Sequence, residues 1–486
     1  MNKPDILSEL NEIGHNTIKK GKRIFASSWL SGHEDKNPSV LIDVEKNTWY
    51  DFSTGKFGDS IDILAFRKGV DRSQLVKEKK VSPEVLINKD ALKLWRANLE
   101  NTIDGTKVID YLEKRGLNKE LREKLEIGLT VSSKKTLKKF LEEMSDNYHE
   151  YSKESVRFSP LFSMKMFENK TYFNEVFNDR IMFPIKNEFN QIVGFTGRTY
   201  KNDSIKYLNS SETDVFKKKE FLYNINNALA SIKKKKQVYI VEGPFDVVAY
   251  MNVGIENVVS TLTCNISEEQ LIKLLSLGGK DLEFVIAFDS DTAGVQGIKN
   301  CMELFKQFSI WNYKVINYSY KDASEYIETN KLNELKELLN NPRSIASYLG
   351  LFYNKTSSLS KKSSYINSFV SLIYTFPDFV IDSLINEFNE LTDQEDSEFL
   401  INLLMTKKKP STILKLICYH LKNDDETLKM FDLMVNDKLL TNEEKEVIKN
   451  IKKYSFKTFQ NNYKVTNLIM QFIKGRSREI INSFPY

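Results

Sequence analysis

Cysteine is scarce: Cys264, Cys301 and Cys418 are the only three in 486 residues and stand far apart. Neither a disulfide framework nor a thiolate-rich zinc site can be assembled from them, and their thiols are expected to be reduced and buried. No apolar run approaches the roughly 20 residues that span a bilayer. The opening MNKPDILSEL lacks the basic and apolar regions of a secretion signal. A cytoplasmic protein with no membrane partner is expected. Also missing are an internal repeat, a heptad pattern long enough for a coiled coil and a phosphate-binding loop of the GxxxxGKS/T type. That argues against an ATP-driven motor within this chain.

What is present has the composition of a folded, water-soluble protein, 41% hydrophobic and 28% charged. The length exceeds one ordinary core, so about three domains are expected. Net charge is +5, with lysine runs at Lys134-Lys135, Lys217 to Lys219, Lys233 to Lys236 and Lys407 to Lys409. Such runs can hold phosphates by charge and counterion release, or simply form solvated surface. Composition alone does not choose, and the abundance of Lys, Asn and Ile also fits an AT-rich coding sequence.

The pattern along the chain is mixed α/β and then helical. SVLIDV (Ser39 to Val44) and TWYDF (Thr48 to Phe52) read as a hairpin, and Gly58-Asp59 start a helix, SIDILAFRKG. The charged VKEKKVSPE suits a linker, so a boundary falls near 85. DALKLWRANL and KVIDYLEKRG are helical, followed by strands RIMFPI and QIVGFTGRTY. From 237 three strand-and-helix pairs follow: QVYIVEG with FDVVAYMNVG, ENVVSTL with SEEQLIKLLSLGG, and EFVIAFDSD with TAGVQGIKNCMELFKQF. These imply a parallel sheet. Beyond about 325 strand signals almost vanish, and Leu332, Leu335, Leu338 and Leu339 fall at helical spacing.

Ligands of a parallel α/β sheet gather outside the carboxyl ends of its strands. Glu242 ends the first strand and Asp289 the third, with Asp291 in the same loop and Asp246 in the turn after Glu242. Clustered carboxylates repel one another unless a cation neutralises them. Magnesium, with manganese as the alternative, suits oxygen ligands that also hold phosphates and water. One or two such ions would polarise a nucleotide phosphate and stabilise a leaving pyrophosphate. Taken alone, Asp289-Ser290-Asp291-Thr292 reads first as a turn with a helix N-cap; Glu242-Gly243 and Asp246 on the matching edge tip it toward chemistry.

VEGPFD (Val241 to Asp246) followed by AFDSDTAG (Ala287 to Gly294) resembles the TOPRIM domain of primases, topoisomerases and some nucleases. NDRIMFPI (Asn178 to Ile185), GFTGR (Gly194 to Arg198) and KYLNSSET (Lys206 to Thr213) resemble the DnaG-type bacterial primases in order and spacing. YLEKRGL (Tyr111 to Leu117), Ile127 to Leu129 and KDASEY (Lys321 to Tyr326) are similar too. The resemblance covers roughly residues 20 to 390. It implies an RNA polymerase domain that builds short primers from ribonucleoside triphosphates on single-stranded DNA during replication. By it, Glu242, Asp289 and Asp291 are catalytic, and these with Asp246 and Asp322 are the metal ligands. Arg180, Arg198, Lys206 and Asn209 then match the region that guides template and nucleotide. Two departures stand out: Ser324 replaces a second aspartate, and Leu262, Thr263, Cys264 replace an LGT whose glycine shapes a loop beside the acids.

SGHEDKNPSVLI with WYDFSTGKFGDSIDIL is similar to the zinc-binding domain that opens such primases, except at the metal. Leu30, His33, Asp51 and Thr54 stand where three cysteines and a histidine are usual, so no zinc is expected. Packing must serve instead, with Trp29, Leu30, Trp49 and Phe52 as candidates. Trp49 and Tyr50 could stack on unpaired template bases, or form the small core. The implied domains are a degenerate ribbon-like template-binding module, 1–85, and a polymerase domain, 86–394. The latter has its TOPRIM part at about 236–326 and closing helices at about 327–394. A helical region at 395–486 weakly resembles a helicase-binding domain, which would imply a separate replicative helicase as partner; a purely structural helical cap is the equal alternative. A phage or other mobile element is a reasonable source. Two alternatives remain open from the residues: a TOPRIM nuclease, and a non-catalytic DNA-binding or helicase-loading factor derived from a primase.

Overall fold

The computed structural model describes residues 4–20, 23–30, 38–54, 56–72, 75, 81–131, 137–167, 170–201, 205–279, 281–373, 376, 378–389 and 391. His33, the Lys134-Lys135 and Lys407 to Lys409 runs, Cys418 and the expected helicase-binding region lie outside them. Two compact units result: Met1–Leu304 with Asn312–Pro342, and Phe305–Trp311 with Arg343 onward. The whole is mixed α/β, with a β-rich N-terminal region, a parallel sheet and helices.

The first unit begins with α1 (Ile6–Glu12) and five strands, β1 (Thr17–Lys20), β2 (Arg23–Ala26), β3 (Val40–Asp43), β4 (Thr48–Asp51) and β5 (Lys56–Asp59). They form one antiparallel sheet in chain order. The expected hairpin is β3 and β4, pairing Val40 with Asp51 and Asp43 with Thr48. In its turn Asn47 takes φ 58°, a left-handed conformation that asparagine tolerates. The Asn47 side chain also binds α1, accepting from the Ile6 N–H at 2.8 Å and donating to the Pro4 carbonyl at 2.7 Å. α2 (Ser60–Lys68) starts at an Asp59–Asp62 capping box and stops at Gly69, φ 64°. Strands β1, β2 and β5 were not legible: Ile18 and Phe57 are half exposed, so neither edge shows an apolar-inward alternation.

Next come α3 (Pro83–Asn101), α4 (Ile103–Lys114), α5 (Lys119–Lys124), β6 (Gly128–Leu129), α6 (Leu137–Tyr148) and α7 (Lys153–Arg157). A ribbon follows, β7 (Phe162–Phe167) with β8 (Lys170–Glu175), then β9 (Arg180–Lys186), β10 (Ile192–Thr199) and β11 (Tyr207–Asn209). The order β11-β10-β9-β6 makes a second antiparallel sheet. Every residue of β9 is buried. α3 covers the sheet with Trp95, whose ring meets Phe195 edge-on at 4.7 Å.

The third sheet follows α8 (Ile225–Lys235). It comprises β12 (Gln237–Val241), β13 (Val258–Ser260), β14 (Glu283–Ile286) and β15 (Tyr313–Val315), with α9 (Pro244–Asn252), α10 (Glu268–Gly278) and α11 (Thr292–Gln307) between them. All pairings are parallel, in the order β13-β12-β14-β15. The sequence showed three of these strands. β15 is a fourth, too short at three residues to stand out. After α12 (Glu325–Glu328) and α13 (Leu332–Asn340), where Leu335 and Leu339 are buried, the first unit ends.

The second unit contains α14 (Ile345–Asn354), α15 (Leu359–Ile373) and α16 (Asp378–Asn389), and the rings of Phe369 and Phe388 stack at 4.3 Å. No helix among the described residues is long and apolar enough to cross a membrane. Cys301 is buried as expected, whereas Cys264 is only half-buried, because it sits in the loop after β13 rather than in a packed helix.

Candidate functional site

β12 and β14 are hydrogen-bonded neighbours, Ile240 beside Ile286, while the chain passes from one to the other through β13 on the far side of β12. The strand order therefore reverses here, where an open α/β sheet forms its crevice. The loops leaving both strands meet: the Asp289 N–H donates to Glu242 Oε1 at 3.0 Å. Gly243 and Pro244 turn the chain into α9, and Asp246 Oδ2 accepts the Gly243 N–H at 3.0 Å. A third loop arrives from β15, tied by the Ser290 N–H to the Lys321 carbonyl at 2.7 Å. It carries Asp322.

Carboxylate oxygens of Asp246, Asp289 and Asp322 all lie within 4.8 Å of one another. That spacing suits ligands of one divalent cation. Sequence reasoning placed Glu242, Asp289 and Asp291 foremost, and the geometry changes the emphasis. Glu242 is beside the group with one oxygen engaged by a backbone N–H. Asp291, exposed, accepts the Gly294 N–H at 3.0 Å and so caps α11, with the Lys321 ammonium 3.9 Å away. The N-cap reading of Asp291 is thus realised in the structure.

Burial, then the charges of Asp322 and Glu242, push Asp246 up to about 7 against the opposing N–H groups of Gly243 and Ser324. Burial, then Asp246, Glu242 and Asp322, push Asp289 up to about 8. Glu242 is also raised, by burial first, then by the charges of Asp291 and Asp322, against the Asp289 N–H and the Lys321 ammonium. Three partly desolvated acids in mutual repulsion form a place where a cation lowers the energy.

Cations surround these acids. Arg198, on β10, is buried; it donates to the Tyr207 hydroxyl at 2.9 Å, and its guanidinium lies 4.7 Å from the Phe245 ring centre. Its Nε has no hydrogen-bond partner. Lys206 is held below the ordinary lysine value by burial and by the neighbouring charges of Arg198, Lys321 and Arg115, with Asp322 opposing. Arg180, on β9, is buried. Its guanidinium donates to the carbonyls of Gly197 at 3.1 Å and Ile205 at 3.0 Å, steadying the loop that presents Lys206. Asn209, on β11 opposite Thr196, has a buried Oδ1 with no hydrogen-bond partner.

Three residues near the acids were not assigned from sequence: Arg115, Tyr207 and Lys321. Arg115 stood within YLEKRGL, but an arginine closing a helix reads first as a favourable charge at its C-terminus. In the structure it donates to the Ser324 hydroxyl at 3.0 Å, and its guanidinium lies 4.6 Å from the Phe245 ring centre. In the loop after β13, Leu262 adopts φ 60°, so a non-glycine residue takes a left-handed conformation there.

The N-terminal sheet corrects one expectation. Trp49 and Tyr50 are buried, 6% and 2% exposed. Trp49 packs edge-on against Trp29 at 4.9 Å and donates its indole N–H to the Asp59 carbonyl at 3.1 Å. Tyr50 meets Phe52 at 4.8 Å. Rings so enclosed serve the small core, the second of the two readings open to them. Asp51 is fully buried and receives the hydroxyls of Ser28, Ser39, Ser53 and Thr54 and the Ser53 N–H. Burial alone would raise its pKa, but these donors hold it below the ordinary aspartate value. Asp51 and Thr54, two of the four positions compared with zinc ligands, are therefore bonded to each other.

Residues 94–229 match the family described as DNA primase catalytic core, N-terminal domain, and residues 239–327 match the Toprim-like family. A DNA primase of Borreliella burgdorferi is 30% identical over 372 residues, 70% of this chain and 68% of that protein. A DNA primase of Lactococcus lactis is 28% identical over 390 residues, 71% of this chain. The chain spans 59% of the Lactococcus protein and 51% of a Staphylococcus aureus DNA primase. Among solved structures, the zinc-binding and RNA polymerase domains of the Aquifex aeolicus primase cover 80% of this chain and 94% of their own. That likeness has a TM-score of 0.52 and 23% identity and concerns the fold.

Proposed function

This chain belongs to the DNA primase family, and from that premise we propose that it synthesises short RNA primers on single-stranded DNA by divalent-cation-dependent nucleotidyl transfer. The observation that carries the reading is the convergence of Asp246, Asp289 and Asp322 within 4.8 Å beside the cations Arg115, Arg198, Lys206 and Lys321.

An all-carboxylate donor set fits magnesium, or manganese, and its raised proton affinities mark charge awaiting neutralisation. Asp246, Asp289 and Asp322 would hold the ion, with Glu242 and Asp291 at the margin. Magnesium there would polarise a nucleotide phosphate and offset charge on the departing pyrophosphate. The chain's own residues do the placing. Arg115 and Arg198 offer forked donors, and Lys206 and Lys321 point charges, to triphosphate and template phosphates. Arg180 positions the Lys206 loop. In the transfer, the 3′-hydroxyl oxygen of one ribonucleotide bonds to the α-phosphorus of the next. The bond to pyrophosphate breaks, and the hydroxyl proton passes to solvent.

Support for the template comes from a structural neighbour, a DnaG primase catalytic domain solved bound to single-stranded DNA. In this reading 1–85 is a template-facing module held by the Asp51 hub in place of zinc, 86–394 is the polymerase, and 395–486 meets a separate replicative helicase. The place of work is the cytosol of a bacterium or a phage-infected cell.

The test is purified full chain with a random single-stranded template library, ribonucleoside triphosphates and magnesium or manganese. Labelled oligoribonucleotides that disappear with EDTA are expected. Their absence on every template with both ions overturns the reading. Cleavage of DNA or RNA without nucleotides would replace it with a nuclease.

A further inference from the structure

Ser324 stands between Arg115 and the acids, and the geometry there is directional. It is buried, 5% exposed. Its N–H donates to Asp246, and its hydroxyl lies 2.8 Å from Asp322 Oδ1. Arg115 Nη2 reaches the same hydroxyl oxygen at 3.0 Å. A guanidinium carries donors only, and a serine hydroxyl has a single proton. With Arg115 donating to the Ser324 oxygen, that proton is left for Asp322, which as a carboxylate accepts only. The order Arg115 to Ser324 to Asp322 therefore has one sense.

Both ends are anchored. Arg115 closes α4, its Nη1 lies 2.5 Å from Glu328 Oε1, and Phe245 underlies its guanidinium. Asp322 Oδ1 also accepts the Glu325 N–H at 3.0 Å. The carboxylate that comes to the acid group from β15 is thus held by two donors on one oxygen, which leaves Oδ2 for another partner.

Resting on the proposed metal-dependent reading, we propose that Arg115 and Ser324 are positioning residues whose hydrogen-bond relay orients Asp322 toward the divalent cation and sets how tightly that cation is held. Partners that orient a metal ligand commonly change affinity 10- to 100-fold when removed. Neither residue touches the cation in this arrangement. Ser324 also touches no phosphate, so its loss should appear in metal affinity first, and in rate only where the metal is limiting.

The probe is manganese, titrated into the full chain without DNA or nucleotide and followed by the spin-resonance signal of the free ion. Ser324→Ala is expected to weaken manganese on the order of tenfold, while Ser324→Thr, which keeps the hydroxyl, stays within about twofold of wild type. Arg115→Gln, whose side chain can accept the serine proton and turn it away from Asp322, weakens binding; Arg115→Lys, a donor only, does so less. In primer synthesis Ser324→Ala shifts the half-activating manganese concentration by the same factor and recovers near wild-type rate at high metal.

Equal manganese affinity in wild type and Ser324→Ala overturns the relay. So does a wild type that binds no manganese. If Ser324→Ala does not melt cooperatively, Arg115→Gln supplies the same comparison, and unchanged affinity there is equally fatal. Manganese binding that follows the expected order in a protein that makes no primer removes the functional reading and leaves the relay standing.

Discussion

Asp51 in the N-terminal sheet and Asp246 with Asp289 at the edge of the parallel sheet are carboxylates withdrawn from water, and the protein treats them in opposite ways. Asp51 receives four hydroxyls and a backbone N–H and is held ionised below the ordinary aspartate value. Asp246 and Asp289 face their own kind and are pushed up to about 7 and about 8. A buried charge fully met by donors is part of the scaffold. One crowded by like charges remains costly until a ligand arrives, which is how perturbed acids come to mark functional sites. The N-terminal sheet and the parallel sheet thus hold the same chemical group for different ends.

The contrast breaks most sharply at Asp289. Asp289→Asn should lower primer synthesis on the order of a thousandfold by weakening charge stabilisation at the cation site. Melting temperature without metal should stay level or rise, because an acid that is costly to hold beside other acids is gone. A large loss of cooperativity in the melt would place Asp289 in the scaffold instead.

In the N-terminal module the large effects fall on stability. Trp49→Ala should cost about 3 to 5 kcal/mol in urea unfolding, as for a large core aromatic. Phe57→Ala, at a ring 51% exposed, should stay within about 0.5 kcal/mol. Similar losses at both positions would contradict the packing described. Asp51→Ala leaves several buried donors unmet and should cost about 3 kcal/mol. An unfolding free energy unchanged from wild type would show the hub to be dispensable.

The smallest expected effect tests both regions together. In EDTA, folded Asp246 and Asp289 keep protons that the unfolded chain releases near the ordinary value of about 4. Between about 4 and 8 the folded state therefore binds more protons, and stability declines as pH rises through that window. Asp51 has the opposite sign, its contribution present above its unfolded value and lost as pH falls through the acid range. Melting temperatures in EDTA should fall by about a few degrees from pH 6 to pH 8, and magnesium should restore more at pH 8 than at pH 6. A metal-free profile that rises across this range would contradict the crowding of the acids.

Much of the parallel sheet was legible because its strands are short apolar runs followed by capped helices, as in QVYIV before Gly243-Pro244. The edge rule then placed Glu242 and Asp289 together without any relative for comparison. Other parts were silent. β15 is three residues long, so nothing in its pattern showed that the following loop would bring Asp322 to the same edge. Trp49 and Tyr50 were aromatic residues with two open readings, and only burial against Trp29 and Phe52 chose the core.

By itself the sequence determined the alternation that builds the parallel sheet, the carboxylates available at its edge and the want of cysteine for a zinc site. Those depend on residue type and short-range spacing, which are local. Tertiary structure decided which three acids converge, that Asp291 caps a helix, and that Arg180 and Arg198 end in different surroundings though both begin as arginines on neighbouring strands. It also decided that Asp51 lies among hydroxyls from four separate positions, Ser28, Ser39, Ser53 and Thr54. Whether a carboxylate becomes scaffold or site turns on the donors and charges brought within a few ångströms of it, and some of those, such as Ser28 and Ser39 around Asp51, arrive from residues that no local pattern connects.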